Sequence, residues 1–120
     1  MSTVLVIDDS ATERQVITSC LQRGGLSVEI ATSSEEAFAK ISSQKPDAIV
    51  LDVVLPGRSG FELCRDLKAE AGTSKIPVVL CSTKSSEMDK FWGMKQGADA
   101  YLAKPVDQEE LLRTVKQLIK

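Results

Sequence analysis

Four charged side chains stand where apolar runs stop. Asp8 and Asp9 follow Val4-Leu5-Val6-Ile7, Asp52 follows Ala48-Ile49-Val50-Leu51, and Lys104 follows Ala100-Tyr101-Leu102-Ala103. Acids at the carboxyl ends of parallel strands meet in one crevice, the place where open α/β sheets bind ligands. Three carboxylates brought together repel unless a cation sits among them, so the pattern asks for a divalent metal held through oxygen. A carboxylate there can also attack a phosphoryl group and become an acyl phosphate. The metal would neutralise the incoming oxygens and Lys104 would hold one of them. Pro56-Gly57 after Asp52 makes a tight exit turn that leaves this side chain at the open strand end. Ser82, after Val78-Val79-Leu80-Cys81, puts a hydroxyl where another run stops.

A purely structural account competes with this chemistry. Carboxylates just ahead of a helix accept its orphan N–H groups and complement its dipole. One acid suffices for that, and Ser10 is already available as a cap. Two acids together with Asp52 and Lys104 fit a Mg²⁺ site better, with Mn²⁺ as the alternative ion. An Asp that only caps a turn would explain Asp52 and leave Lys104-Pro105, at a matching strand end, without a reason.

The elements that must position these residues follow from alternating patterns. Strands are expected at 3–7, 26–31, 47–51, 76–81 and 99–102. Those at 3–7, 47–51 and 76–81 are nearly continuous in Val, Ile and Leu, as strands covered on both faces should be. Between them lie helical patterns. Ser10 caps the first, with Glu13 completing a capping box, and Gly24-Gly25 stop it. Ser33 or Ser34 starts the second, and Pro46 lies past its end. The third runs from near Gly60 to Ala71-Gly72. Ser86 with Asp89 caps the fourth, which Gly97 terminates. Asp107 caps the fifth, whose Leu111, Leu112, Val115, Leu118 and Ile119 keep helical spacing. Five βα units in a row imply an α/β fold with a parallel, doubly wound sheet, right-handed crossovers and helices on both faces.

Bulk properties narrow the function. A chain of 120 residues reads as a single domain, 1–120, large enough for its own core. Its 42% hydrophobic and 27% charged residues fit an ordinary soluble protein. A net charge of −2 argues against nucleic acid or an anionic membrane as main partner, since either wants a basic face. No apolar stretch approaches a membrane span, and Met1-Ser2-Thr3 leads straight into a strand, so a cytoplasmic location is expected. Cys20, Cys64 and Cys81 have no CxxC spacing and the chain has no histidine, which disfavours zinc, haem and His-activated nucleophiles. They read as buried thiols in a reducing compartment.

Taken together, Asp8-Asp9, Asp52 with Pro56-Gly57 and Gly60, Ser82-Thr83 and Lys104-Pro105 resemble the receiver domain of two-component response regulators, in the right order along the whole chain. That resemblance implies a (βα)₅ flavodoxin-like sheet with strand order 2-1-3-4-5, an arrangement known from chemotaxis receivers. It implies that Asp8, Asp9, Asp52 and the backbone carbonyl of Val54 hold Mg²⁺. Asp52 would accept phosphate from a phosphohistidine of a sensor histidine kinase. Lys104 and Ser82 would contact the phosphoryl group, and the Lys104–Pro105 bond would be cis. Val54 and Lys84 occupy positions that tune phosphate lifetime. Neither brings a carboxylate or amide to orient water, so spontaneous loss of phosphate is not expected to be unusually fast.

The resemblance also implies a way out for the signal. A shift of Ser82 would open space for Tyr101, linking the site to a face formed by the fourth helix, fifth strand and fifth helix. Lys90, Trp92, Met94 and Tyr101 fall on that face, where an output protein would bind. In the fourth helix Phe91 keeps helical spacing with Met88 and Met94 and reads as core; Trp92 beside it reads as half exposed, closing the core edge or meeting a partner. A Phe-Trp-Gly stretch is similar to one in stand-alone receivers of type IV pilus chemosensory systems, which adds twitching motility as an expectation.

The chain ends at Lys120, just after the fifth helix, so no output domain is expected, and the protein would work as a monomer or a phosphorylation-dependent dimer. Acting as a phosphate sink for the kinase is the alternative to signalling by binding. An Asp-nucleophile phosphohydrolase is a further alternative, but such enzymes carry a second Asp two residues after the nucleophile, where Val54 stands here. The chain is therefore expected to catalyse only its own phosphorylation and dephosphorylation. Nucleotide binding lacks a glycine-rich loop after the first strand.

Overall fold

The computed structural model describes residues 2–119. Strands and helices alternate without exception: β1 (Thr3–Ile7), α1 (Ala11–Arg23), β2 (Ser27–Ala31), α2 (Ser34–Ser43), β3 (Ala48–Leu51), α3 (Gly60–Ala69), β4 (Val78–Ser82), α4 (Glu87–Lys95), β5 (Ala100–Ala103) and α5 (Gln108–Ile119). The strands form one parallel sheet in the order β2-β1-β3-β4-β5. The chain therefore has the flavodoxin-like α/β architecture implied by the motifs.

Alternation along the strands divides the core in two. Leu5, Ile7, Ile49, Leu51, Val78 and Leu80 face one side, where they meet Ile41 of α2 and Leu63, Cys64 and Leu67 of α3. Val4, Val6, Ala48, Val50, Val79 and Cys81 face the other, against Ile17 and Leu21 of α1 and Leu111 and Val115 of α5. Both faces of the central strands are covered, which is why their sequences are apolar at every position rather than at alternate ones. None of the three cysteines is in a disulfide, and all are buried. No helix among the described residues is long and apolar enough to cross a membrane.

Caps set most helix starts. The hydroxyls of Ser10, Ser33, Ser59 and Ser86 each accept the N–H three residues on. Asp107 does the same for α5, accepting from the Glu110 N–H at 3.2 Å. Gly25, Gly57 and Gly97 take positive φ, at 90°, 72° and 100°, so the expected stops after α1 and α4 and the turn after Asp52 fall where glycine permits left-handed backbone.

Three expectations need correction. The third helix ends at Ala69, before Ala71-Gly72, because Glu70 already adopts extended backbone. The Ser10–Glu13 capping box does not close: the Ser10 N–H goes to Asp8 Oδ1 at 2.9 Å, and the Glu13 carboxylate turns to Lys104 instead. Phe91 is not core. It is 58% exposed, and Met88 and Met94 are exposed with it, because the position that α4 presents to the sheet is Gly93. A Cβ on Gly93 would lie 2.7 Å from the Tyr101 ring and 2.8 Å from Leu80. Only a bare backbone brings the helix that close, which leaves its large side chains outside.

Candidate functional site

The strand ladder continues one residue past the strands and fixes the charged residues in register. Asp8 N–H donates to the Ala31 carbonyl at 3.1 Å, Asp52 N–H to the Ile7 carbonyl at 2.9 Å, and Lys104 N–H to the Ser82 carbonyl at 3.0 Å. Asp8, Asp9, Asp52, Ser82 and Lys104 are thereby gathered at one rim of the sheet. Ligand oxygens of Asp8, Asp9 and Asp52 lie within 4.8 Å of one another. Asp8 is buried and Asp9 exposed, so the acid cluster reaches from the core to solvent.

Lys104 is the counter-charge. Its Nζ lies 2.5 Å from Asp8 Oδ2 and 3.1 Å from Asp52 Oδ2, with the side chain only 3% exposed. Burial alone would push the ammonium's pKa down. The hydrogen bond to Asp8 and the charges of Asp52 and Asp8 outweigh that and hold it above the ordinary lysine range. The peptide bond from Lys104 to Pro105 is cis. Glu13 Oε2 stands 3.4 Å from the same ammonium. The sequence pattern had reserved that residue for a cap. Its spacing from Ser10 is the only local signal it carries, and that signal points elsewhere.

The loop after Asp52 is shaped by close backbone approach. Val54 N–H donates to Asp52 Oδ1 at 3.3 Å, and the Val54 side chain points to solvent. Gly60 N–H donates to the Val53 carbonyl at 2.8 Å. A Cβ at Gly60 would sit 2.0 Å from the Asp52 carbonyl oxygen, so α3 can start against this strand end only with glycine there.

On the β4 side, Ser82 is fully buried and its Oγ accepts the Lys84 N–H at 3.1 Å. The Tyr101 hydroxyl donates to the Lys84 carbonyl. Burial, aided by the charge of Asp89, pushes the phenol up to about 12. Tyr101 thus ties the β4–α4 loop to β5 and forms the seat on which Gly93 rests. Around α4, Lys90 and Met94 lie on one flank of Gly93 and Met88 and Trp92 on the other, as positions four apart must. The expected partner face is therefore split by the helix, with Trp92 on the flank away from Lys90 and Met94.

One hollow lies elsewhere. A space of about 300 Å³ lined by Thr3, Leu5, Glu29, Lys40 and Pro46 lies at the opposite end of the sheet from the acids. The acids and Lys104 make the rim a charged surface, suited to ions and small anionic groups.

The comparisons agree with this geometry. The sequence profile of the response regulator receiver domain matches residues 4–116. Protein PilH of Pseudomonas aeruginosa is 42% identical over 119 residues, which span 99% of this chain and 98% of that protein. The phosphate regulon transcriptional regulatory protein PhoB of the same organism is 38% identical over 98% of this chain, which corresponds to 52% of PhoB. The crystal structure of a putative response regulator from Chloroflexus aurantiacus superposes with a TM-score of 0.95 at 34% identity, covering 98% of this chain and 97% of that one. The chemotaxis response regulator CheY4 of Vibrio cholerae gives a TM-score of 0.90, also at 34% identity, with 98% of both chains covered. On profile, sequence and structure alike, the chain belongs to the response regulator receiver domain family.

Proposed function

We propose that this receiver accepts a phosphoryl group on Asp52 from the phosphohistidine of a sensor histidine kinase, in a Mg²⁺-dependent reaction. The observation that carries the reading is Lys104 Nζ, buried between Asp8 Oδ2 and Asp52 Oδ2, with Asp9 completing the acid cluster. Three oxygen ligands so close, balanced by one ammonium, fit a hard divalent cation. Asp8, Asp9, Asp52 and the Val54 carbonyl would hold it, and when bound it would neutralise phosphoryl oxygens as they approach. Asp52 supplies the attacking oxygen, and Lys104 is placed to pass from a carboxylate to a phosphoryl oxygen once the negative charge lies there. Catalysis would extend to the chain's own phosphorylation and dephosphorylation.

Output would follow from the Ser82 side. A phosphoryl group on Asp52 offers a strong acceptor to the Ser82 hydroxyl, drawing it from its bond with the Lys84 N–H. The β4–α4 loop held by Tyr101 would then resettle, changing the α4–β5–α5 face that carries Lys90, Met94 and Tyr101. Such a link is a two-state equilibrium biased by phosphate. The likeness to PilH over the full length of both chains supports a cytoplasmic receiver that acts by binding an output protein, with pilus-driven motility as the process served.

The test is intact mass after incubation with Mg²⁺ and a small phosphodonor. A gain of one phosphoryl group by the parent but not by Asp52→Ala, abolished by chelating the metal, is the expected result. An equal gain by both proteins would move the acceptor away from Asp52 and overturn the assignment.

A further inference from the structure

Glu13 is a charged residue at the rim to which the metal cage and the phosphoacceptor give no task. α1 begins like α3 and α4, with a serine cap and an acid three residues on. In α3 and α4 that acid turns back and closes the capping box. In α1 the Ser10 N–H is already taken by Asp8, and Glu13 Oε2 lies 3.4 Å from Lys104 Nζ. The Lys104 side chain is 3% exposed and that of Glu13 38%, so Glu13 covers the buried ammonium from the solvent side.

The charges then decide what Glu13 does. With a divalent ion bound, the three aspartates are balanced by that ion together with Lys104. Glu13 is left as a further negative charge at the solvent edge, with the Arg14 guanidinium engaged at the Asp8 carbonyl, 2.9 Å away, and an incoming phosphodonor is itself anionic. We propose that Glu13 is a specificity-determining residue, whose charge disfavours doubly anionic acyl phosphates and leaves the site to P–N donors. This rests on the reading of Asp52 as phosphoacceptor.

In both reactions a bond forms between Asp52 Oδ and phosphorus. With acetyl phosphate the P–O bond breaks and acetate leaves with the electron pair. With phosphoramidate the P–N bond breaks and the already protonated nitrogen leaves as ammonia. Protonation of that nitrogen gives phosphoramidate one negative charge fewer than acetyl phosphate, and a phosphohistidine shares this chemistry. Repulsion by Glu13 therefore weighs more on the acyl phosphate.

The experiment compares the parent with Glu13→Gln, which keeps size and hydrogen bonding but removes the charge. Phosphorylation rates are measured by intact mass with acetyl phosphate and with phosphoramidate, at low and high salt. The expected result is a rise in the acetyl phosphate rate about threefold larger than any rise with phosphoramidate, shrinking as salt screens the charge. Mg²⁺ affinity of the unphosphorylated proteins, read by calorimetry, should fall by up to about tenfold, because a field that separates the donors threefold per unit charge acts twice over on a dication. An unchanged donor ratio, even with both rates raised, would overturn the proposal and make Glu13 a tether on Lys104. A loss of Mg²⁺ affinity of about a hundredfold or more, beyond what the charge alone accounts for, would overturn it in favour of a metal-holding role. If neither donor labels the parent, the phosphoacceptor reading itself falls and takes this inference with it.

Discussion

Lys104 alone cannot neutralise the rim. One ammonium faces Asp8 and Asp52 directly, with Glu13 beyond them and Asp9 in the same cluster, so the metal-free site holds an excess of like charge. Such crowding costs stability in the resting fold and is relieved by a cation. Mg²⁺ should therefore raise the melting temperature in a concentration-dependent way, by about 2.7 kcal/mol of stability at a hundred times the dissociation constant. Replacing Asp9 by Asn should have two opposite signatures. The metal-free protein should melt a few degrees higher, roughly 1 kcal/mol of relieved repulsion, and the Mg²⁺ shift should largely vanish. Thermal melts with Mg²⁺ and with chelator read both; a variant that melts lower without metal contradicts the charge argument.

At the scale of elements, Gly60 and Gly93 set how closely α3 and α4 approach the sheet. Gly60 lets α3 start against the backbone of Asp52, where an added Cβ would lie 2.0 Å from a carbonyl oxygen that cannot step aside. Gly60→Ala should cost about 2–3 kcal/mol in urea unfolding, and should slow phosphorylation because the Asp52 loop must move. Gly72→Ala is the contrasting case. Its Cβ would meet only the tip of Lys45, at 3.5 Å, so stability should stay within about 0.5 kcal/mol of the parent. The same comparison shows what could be read in advance. Strand positions, helix order and the convergence of Asp8, Asp9, Asp52 and Lys104 were legible because each rests on local pattern: an apolar run, then a charge at its end. Phe91 and Glu13 were not. Helical spacing marks Met88, Phe91 and Met94 as one apolar stripe, but which face is buried depends on the Gly93 backbone seating on Tyr101. Ser10 and Glu13 spell a capping box, but the carboxylate's destination depends on a lysine 91 positions later in the chain. Both outcomes are tertiary, and no window of sequence contains them.

For the molecule as a whole, no side-chain type present ordinarily titrates near neutrality: carboxylates lie below it, and thiols, phenol and amines above. With no histidine in the chain, stability should be flat between about pH 6 and 8. The alkaline side differs. Burial pushes the Cys64 thiol up to about 11 and the Cys81 thiol up to about 12, from 9.0 for a free thiol. A thiol whose folded pKa lies above its unfolded one keeps its proton longer in the fold. Its contribution is complete below 9.0 and lost progressively from there to its folded value. Urea midpoints should therefore fall above about pH 9, and less steeply in Cys81→Ala relative to that variant's own neutral value. A midpoint already falling between pH 6 and 8 would contradict this account.

The seating of α4 carries one more consequence. Because Gly93 takes the buried position, the chain's single tryptophan, Trp92, is left 50% exposed on the helix that rides on Tyr101. An indole half in water emits at a wavelength set by how much of it water touches. Any resettling of α4 after an event at Asp52 would tilt Trp92 toward or away from solvent and shift that emission. The protein thus carries its own unlabelled optical gauge, on the very helix that rests against Tyr101.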